Sequence, residues 1–141
     1  MKTGRTGIAL IKSFESLRLE AYRCPAGVWT IGYGHTAGVR QGDVVDELRA
    51  EYLLAEDLKK FEDAVSRECH GLNQNQFDAL VSFSFNVGTG NFRKSTLLKC
   101  VKANPGNQNI RYEFSRWNKA NGTVLAGLVR RRKAEADLYF S

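Results

Sequence analysis

The sequence predicts an α+β fold in which one small antiparallel β element precedes a larger, mainly helical body. Three observations carry that prediction. Residues 17–35 hold short strand-like runs broken by Pro25-Ala26-Gly27, Gly32 and Gly34. From Val45 onward, apolar residues recur three or four apart, the spacing of an amphipathic helix. Residues 77–85, Phe-Asp-Ala-Leu-Val-Ser-Phe-Ser-Phe, are apolar on nearly all sides, as a helix at the centre of a domain is. Strand signals at one end and helices thereafter indicate segregated α and β parts, not a parallel βαβ sheet.

The elements follow in order. Ile8, Ile11 and Phe14, with Leu10 beside them, mark a helix over residues 6–14 that ends around Glu15-Ser16. Pro25 fixes φ and Gly27 permits a positive φ, so a turn falls there. Residues 17–35 read as two or three antiparallel strands, with a glycine-punctuated strand from Val28 to His35. Residues 36–46 read as a loop. Leu48, Tyr52, Ala55, Leu58, Phe61 and Val65 predict one helix over 46–66, with Asp46 as N-cap and Glu47 adding favourable first-turn charge. Cys69-His70-Gly71-Leu72 breaks it. Asn73 caps the next helix, and Asn86-Val87-Gly88-Thr89-Gly90 stops it. Ser95 caps a helix holding Leu97, Leu98 and Val101. A turn or two containing Ile110, Phe114 and Trp117 follows Asn107-Gln108-Asn109, and Asn118–Thr123 reads as a loop. The last helix runs from about Val124 to Phe140, with Leu125, Leu128, Val129, Ala136 and Tyr139 inward. Arg130, Arg131 and Arg132 span most of a helical circumference. With Glu135 and Asp137 near, solvated ion pairs are expected for most of them, with one turned inward to steady Glu15.

Length and composition bound the function. A chain of 141 residues is expected to be one domain with a real core. No apolar run approaches the roughly 20 residues of a spanning helix, and Ile8–Ile11 is too short for a signal segment. The chain is therefore expected to lack its own route across a membrane and to make no stable membrane insertion. A net charge of +6 favours a polyanion: nucleic acid, anionic lipid or a carboxylate-bearing wall. No zinc finger, phosphate loop or helix-turn-helix signature supports nucleic acid. The three cysteines, Cys24, Cys69 and Cys100, form no Cys-x-x-Cys pair, and Cys69 and Cys100 read as packing residues. Two lone histidines lack metal-ligand spacing, so no metal is expected.

One stretch carries chemistry. Glu15 ends the first helix, Cys24 follows nine positions later and Thr30 six after that. An acid paired with a water-positioning group is the usual equipment for cutting a glycosidic bond. Burial beside Phe14 would favour the protonated form of Glu15, which can donate to a leaving oxygen. Thr30 can both donate to and accept from a bound water. A free thiol has a pKa near 8.5, so only a few per cent is thiolate at pH 7, and charge on Glu15 would push the pKa of Cys24 higher still, which makes it a weaker general base than an ionised aspartate.

The motif Glu15-x8-Cys24-x5-Thr30 resembles Glu-x8-Asp/Cys-x5-Thr of the bacteriophage-type lysozymes, the endolysins of glycoside hydrolase family 24. The flanks are similar too: Glu15-Ser16-Leu17-Arg18-Leu19, then Gly27-Val28-Trp29-Thr30-Ile31-Gly32-Tyr33-Gly34-His35. Ala79–Gly88 resembles the family's central buried helix, and Arg116-Trp117 and Gly127–Arg132 its C-terminal elements. The resemblance implies a lysozyme-like fold with a cleft between a β lobe, about 15–45, and a helical lobe, about 46–141 plus the first helix. It also implies hydrolysis of the β-1,4 bond between N-acetylmuramic acid and N-acetylglucosamine in peptidoglycan, usually with inversion and without a cofactor. Glu15 would be the general acid, with Thr30 and Cys24 placing the water. Cys24 departs from the commoner aspartate and leaves three roles open: positioning water, attacking the sugar, or acting as a redox-sensitive blocker. Water positioning is favoured. His35, Phe85, Asn86, Gly88 and Arg116 are candidate substrate-binding residues, with a structural role favoured for His35. A monomer acting on the glycan strand is implied. It would be made in the host cytoplasm and act in the periplasm once a holin permeabilises the membrane. The alternatives are a lytic transglycosylase, which uses no water, a catalytically impaired wall-binding protein, and a cationic membrane-disrupting protein.

Overall fold

Helix α3 (Gln74–Val87) is the element on which the others pack, and the computed structural model describes it together with all other residues of 1–141. Its start is fixed by a capping box. The Asn73 side chain accepts from the Gln76 N–H at 2.8 Å, and the Gln76 side chain accepts from the Asn73 N–H at 2.9 Å. Every residue from Phe77 to Ser84 is buried. Gly88, at φ +92°, ends the helix in a conformation that side-chain-bearing residues avoid.

Four helices follow in the chain: α4 (Thr89–Lys94), α5 (Thr96–Ala103), α6 (Asn109–Ser115) and α7 (Ala126–Tyr139). Phe83 of α3 meets Phe92, Phe114 and Trp117 edge-on at centroid distances of 6.5, 5.7 and 5.5 Å. Ser95 caps α5 as expected, accepting from the Leu98 N–H at 3.0 Å. Helix α1 (Arg5–Phe14) lies against α3 so closely that a Cβ on Gly7 would stand 2.6 Å from the Cβ of Asp78. The buried Asp78 carboxylate accepts from the Gly4 N–H at 3.1 Å, which satisfies one donor at the start of α1.

Strands β1 (Arg18–Arg23) and β2 (Trp29–Gly32) pair antiparallel, with Tyr22 opposite Thr30 and Arg23 opposite Trp29. The expected strand to His35 is shorter than the sequence suggests. At Gly34, φ +87°, the chain turns, and His35 bridges back to Ile31 through two 2.9 Å hydrogen bonds. A third strand is reduced to one bridge between Glu20 and Val44.

Helix α2 (Glu47–Glu68) leads from this β region, and Asp46 caps it by accepting from the Arg49 N–H at 2.8 Å. Its inward stripe differs from the expected one in the first turns. Leu48 and Tyr52 are 77% and 53% exposed, and Ala50 and Leu54 are buried in their place. The start of α2 meets β2, where small Ala50 fits beside the bare backbone of Gly32.

The end of the chain departs further from expectation. Residues 118–123 are not a plain loop. Strands β3 (Lys119–Ala120) and β4 (Thr123–Val124) form a hairpin whose turn residues Asn121 and Gly122 both have positive φ. In α7, Leu125 and Val129 are exposed, whereas Arg131, Arg132 and Glu135 are buried. The expected solvated pairs are therefore a buried cluster. These charges enter the core because they satisfy one another and the polar atoms of α3. No helix is long and apolar enough to cross a membrane.

Candidate active site

Glu15 sits where α1 stops and the chain turns extended. Its N–H still bonds the Ile11 carbonyl at 3.0 Å, and its φ and ψ of −101° and 128° start the path into β1. The side chain is about a quarter exposed. It borders a hollow of about 550 Å³ lined also by Gly34, Thr36, Asp57, Phe85 and Asn86. A second hollow, about 440 Å³, is lined by Phe14, Leu125, Leu128 and Arg131, and again by Glu15 and Asn86. Glu15 and Asn86 thus stand where two halves of one cleft meet.

One oxygen of Glu15 is held from across the cleft. Arg131 Nη1 donates to Glu15 Oε1 at 3.0 Å. The same guanidinium donates through Nε to Glu135 Oε2 at 3.2 Å, and through Nη2 to the Ser82 carbonyl at 3.2 Å. Ser82 Oγ completes the ring by donating to Glu135 Oε2 at 2.6 Å. Arg132 pairs with the other Glu135 oxygen, donates to the Trp117 carbonyl at 2.9 Å, and donates to the side-chain oxygen of Asn86. Burial lowers the Arg132 guanidinium from its ordinary value, and the charge of Glu135 opposes that shift. A guanidinium only donates, so it fixes which end of the Asn86 amide turns to it and leaves the NH₂ toward the cleft. One inward arginine steadying Glu15 was expected, and Arg131 fills that place.

Cys24 and Thr30 flank the turn between β1 and β2. The Cys24 N–H bonds the Val28 carbonyl at 3.0 Å, and the Gly27 N–H bonds the Cys24 carbonyl at 2.8 Å. Buried Thr30 donates through Oγ1 to the Val28 carbonyl at 3.0 Å. The Cys24 thiol is held below its ordinary value, not raised as the sequence suggested. The chief cause is the Val28 N–H. Burial opposes it, and the Ala26 N–H and the Thr30 hydroxyl add to the lowering. Neither Cys24 nor Thr30 is part of the lining of the hollow that holds Glu15.

The other candidates separate. Phe85 and Asn86 line the cleft. His35 stands behind its wall, with Nδ1 2.9 Å from Asp57 Oδ2 and Nε2 2.9 Å from the Ala37 carbonyl. It ties two lining residues together. Gly88 serves as the turn that ends α3. Arg116 holds Glu113 at 3.0 Å and lines a separate hollow with Lys94, Ser95, Thr96 and Trp117. Sequence reasoning missed Glu56, Asp57 and Lys60, which line the cleft from the outer face of α2, and Ser82 and Glu135, which carry Arg131. The only sequence signal for the last pair was a polar residue in an otherwise apolar helix and a glutamate one turn beyond paired arginines.

A carboxyl held in a cleft between a small strand pair and a helical body matches the arrangement the resemblance to lysozyme-type glycoside hydrolases implies. Comparison with known proteins agrees. A family model described as phage lysozyme matches residues 12–135. The endolysin of Acyrthosiphon pisum secondary endosymbiont phage 1 is 44% identical, over 100% of this chain and 99% of that protein. The endolysin of Salmonella phage P22 is 37% identical over the same shares. The endolysin of Bacillus phage B103 is 44% identical, but the chain spans only 55% of it. Among solved structures, the muramidase domain of SpmX from Asticaccaulis excentricus has a TM-score of 0.92 at 42% identity, covering 99% of this chain and 98% of that one. A P22 lysozyme mutant has a TM-score of 0.90 at 36% identity, covering 100% and 99%. The chain belongs to the phage lysozyme family.

Proposed function

We propose that the chain is an endolysin muramidase that hydrolyses the β-1,4 bond between N-acetylmuramic acid and N-acetylglucosamine, with Glu15 as the general acid. The observation that carries this reading is Glu15 at the meeting point of two hollows, aimed by Arg131. Glu15 gives its proton to the glycosidic oxygen as the C1–O bond breaks. Water attacks C1 from the opposite face, its oxygen forms the new bond, and its spare proton leaves to a nearby base or to solvent. Thr30 suits the task of holding that water. With its single proton on the Val28 carbonyl, its oxygen can accept from the water and sharpen it as a nucleophile; turned toward Cys24, the same proton steadies the thiolate instead. The lowered thiol pKa puts more of Cys24 in the thiolate form near neutral pH, and it is that thiolate that can accept the water's proton. Asn86, through its free NH₂, binds an acetamido carbonyl.

Glu15→Gln should lower turnover of purified peptidoglycan by about 10²–10⁴-fold, the usual worth of a general acid, while wall binding persists. Full turnover in that variant would overturn the reading. Cys24→Asp should keep activity that Cys24→Ala loses. Loss in both Cys24→Asp and Cys24→Ser, with retained anomeric configuration in the product, would instead make the sulfur a nucleophile. A product lighter by one water would indicate a transglycosylase.

The wider reading is one catalytic domain over residues 1–141, acting as a monomer on the wall after a holin permeabilises the membrane. Endolysin relatives matched over 99% of their own length support the single catalytic domain and its action on the wall. The SAR-endolysin of Haemophilus phage HP1, 32% identical, marks a relative with a different name for its release. Lysis that requires co-expression of a membrane permeabiliser would bear it out.

A further inference from the structure

The outer face of α2 carries a charged groove that the proposed acid mechanism does not use. Lys60, Asp63, Ala64 and Arg67 recur at helical spacing on one side of α2, and Arg93 at the end of α4 closes the other side. They enclose a hollow of about 250 Å³ with buried Ala64 as its floor. Lys60, Arg67 and Arg93 have no ion-pair partner, whereas neighbouring Lys59 and Lys102 are paired with Glu56 and Glu68. Three cations therefore line one hollow whose own carboxylate is Asp63, with Glu56 and Asp57 standing beside Lys60 in the adjoining cleft. Such a cluster is stabilised by a ligand that brings carboxylates.

Continuity with the cleft identifies the ligand. Lys60 lines both the groove and the hollow that holds Glu15. The two hollows adjoin at Lys60, so a chain that leaves the cleft on that side meets the groove. We propose that this groove binds the carboxylate-bearing stem peptide that hangs from the muramic acid of the glycan strand. The proposal rests on the muramidase reading above. Reach is sufficient. Lys60 and Arg67 are separated by about 10 Å along the helix, and a peptide of about five residues extends to roughly 17 Å. Asp63 decides between anions. Amid the cations it repels a phosphate polymer, but it pairs with the side-chain ammonium of a diamino acid in a stem peptide. The groove thus matches a zwitterionic chain better than a pure polyanion.

The test compares wild type with Arg67→Ala/Arg93→Ala on soluble, uncross-linked peptidoglycan strands that carry intact stem peptides. Both side chains are exposed, and thermal melting checks that the fold is kept. The expected result is a KM raised about ten-fold with kcat within two-fold of wild type. Free stem peptide should inhibit wild type competitively, and the double variant should escape that inhibition. Asp63→Asn should weaken inhibition by the free peptide but not by a peptide whose side-chain amine is acetylated. An unchanged KM overturns the proposal, and so does inorganic phosphate inhibiting as strongly as the peptide, which would make the groove a phosphate site. Glu15→Gln, assayed on the same strands, fails separately: its full activity would remove the muramidase reading whatever the double variant does.

Discussion

Arg131 shows how one side chain can serve the core and the cleft together. It touches Glu15, Ser82 and Glu135 through different nitrogens. A lysine has one compact ammonium and cannot span those three partners. Arg131→Lys should therefore lower kcat by about ten-fold or more, as a small misplacement of a reacting group does. KM should move little, because the Arg131 guanidinium is committed to Glu15, Glu135 and Ser82. Steady-state kinetics on soluble glycan strands would show this split, and an equal rise in KM alone would refute it. The sequence disclosed Glu15 by its motif and Arg131 only as one of three adjacent arginines. What chose Arg131 was the angular position of α7 against α3, which no local pattern encodes.

At the scale of elements, the sequence was most legible where a cap or a long period spoke. Asp46, Asn73 and Ser95 each begin a helix as their side chains suggest. It was least legible where a short element depends on its neighbours. Helix α4 has six residues and no side-chain cap, so nothing local announces it. The β3–β4 hairpin did carry an Asn-Gly signal, Asn121-Gly122, but two-residue strands are too short to show alternation. The first turns of α2 offered two acceptable stripes, and contact with Gly32 selected the one through Ala50. Close approach of α1 to α3 gives a direct test. Gly7→Ala pushes a methyl into Asp78, whose carboxylate is committed to the Gly4 N–H. The expected loss is about 1–3 kcal/mol of stability, measurable by urea unfolding. An unchanged midpoint would mean the two helices part without cost.

The whole molecule has a stability profile that two buried acids should shape. Cys69 is pushed up to about 11 by burial, with Lys102 opposing, and Tyr139 is pushed up to about 12, also chiefly by burial. Both folded values lie above the ordinary 9 and 10. In the alkaline range the unfolded chain therefore loses these protons first. Stability is fully present below pH 9, falls as Cys69 is drawn toward its anion between pH 9 and 11, and falls again for Tyr139 between pH 10 and 12. Melting temperature against pH should show this decline. In Cys69→Ala the onset should move from about pH 9 to about pH 10, the unfolded tyrosine's range. A decline that begins at pH 9 in both proteins would refute the assignment to the thiol.

The contact between Glu15 and Arg131 joins residues 116 positions apart. A ribosome makes the proposed acid 116 residues before the arginine that aims it. The growing chain therefore holds an unaimed glutamate until those residues have been added. The aim of Glu15 therefore waits on the docking of α7, and local folding of the first helix and strands cannot supply it.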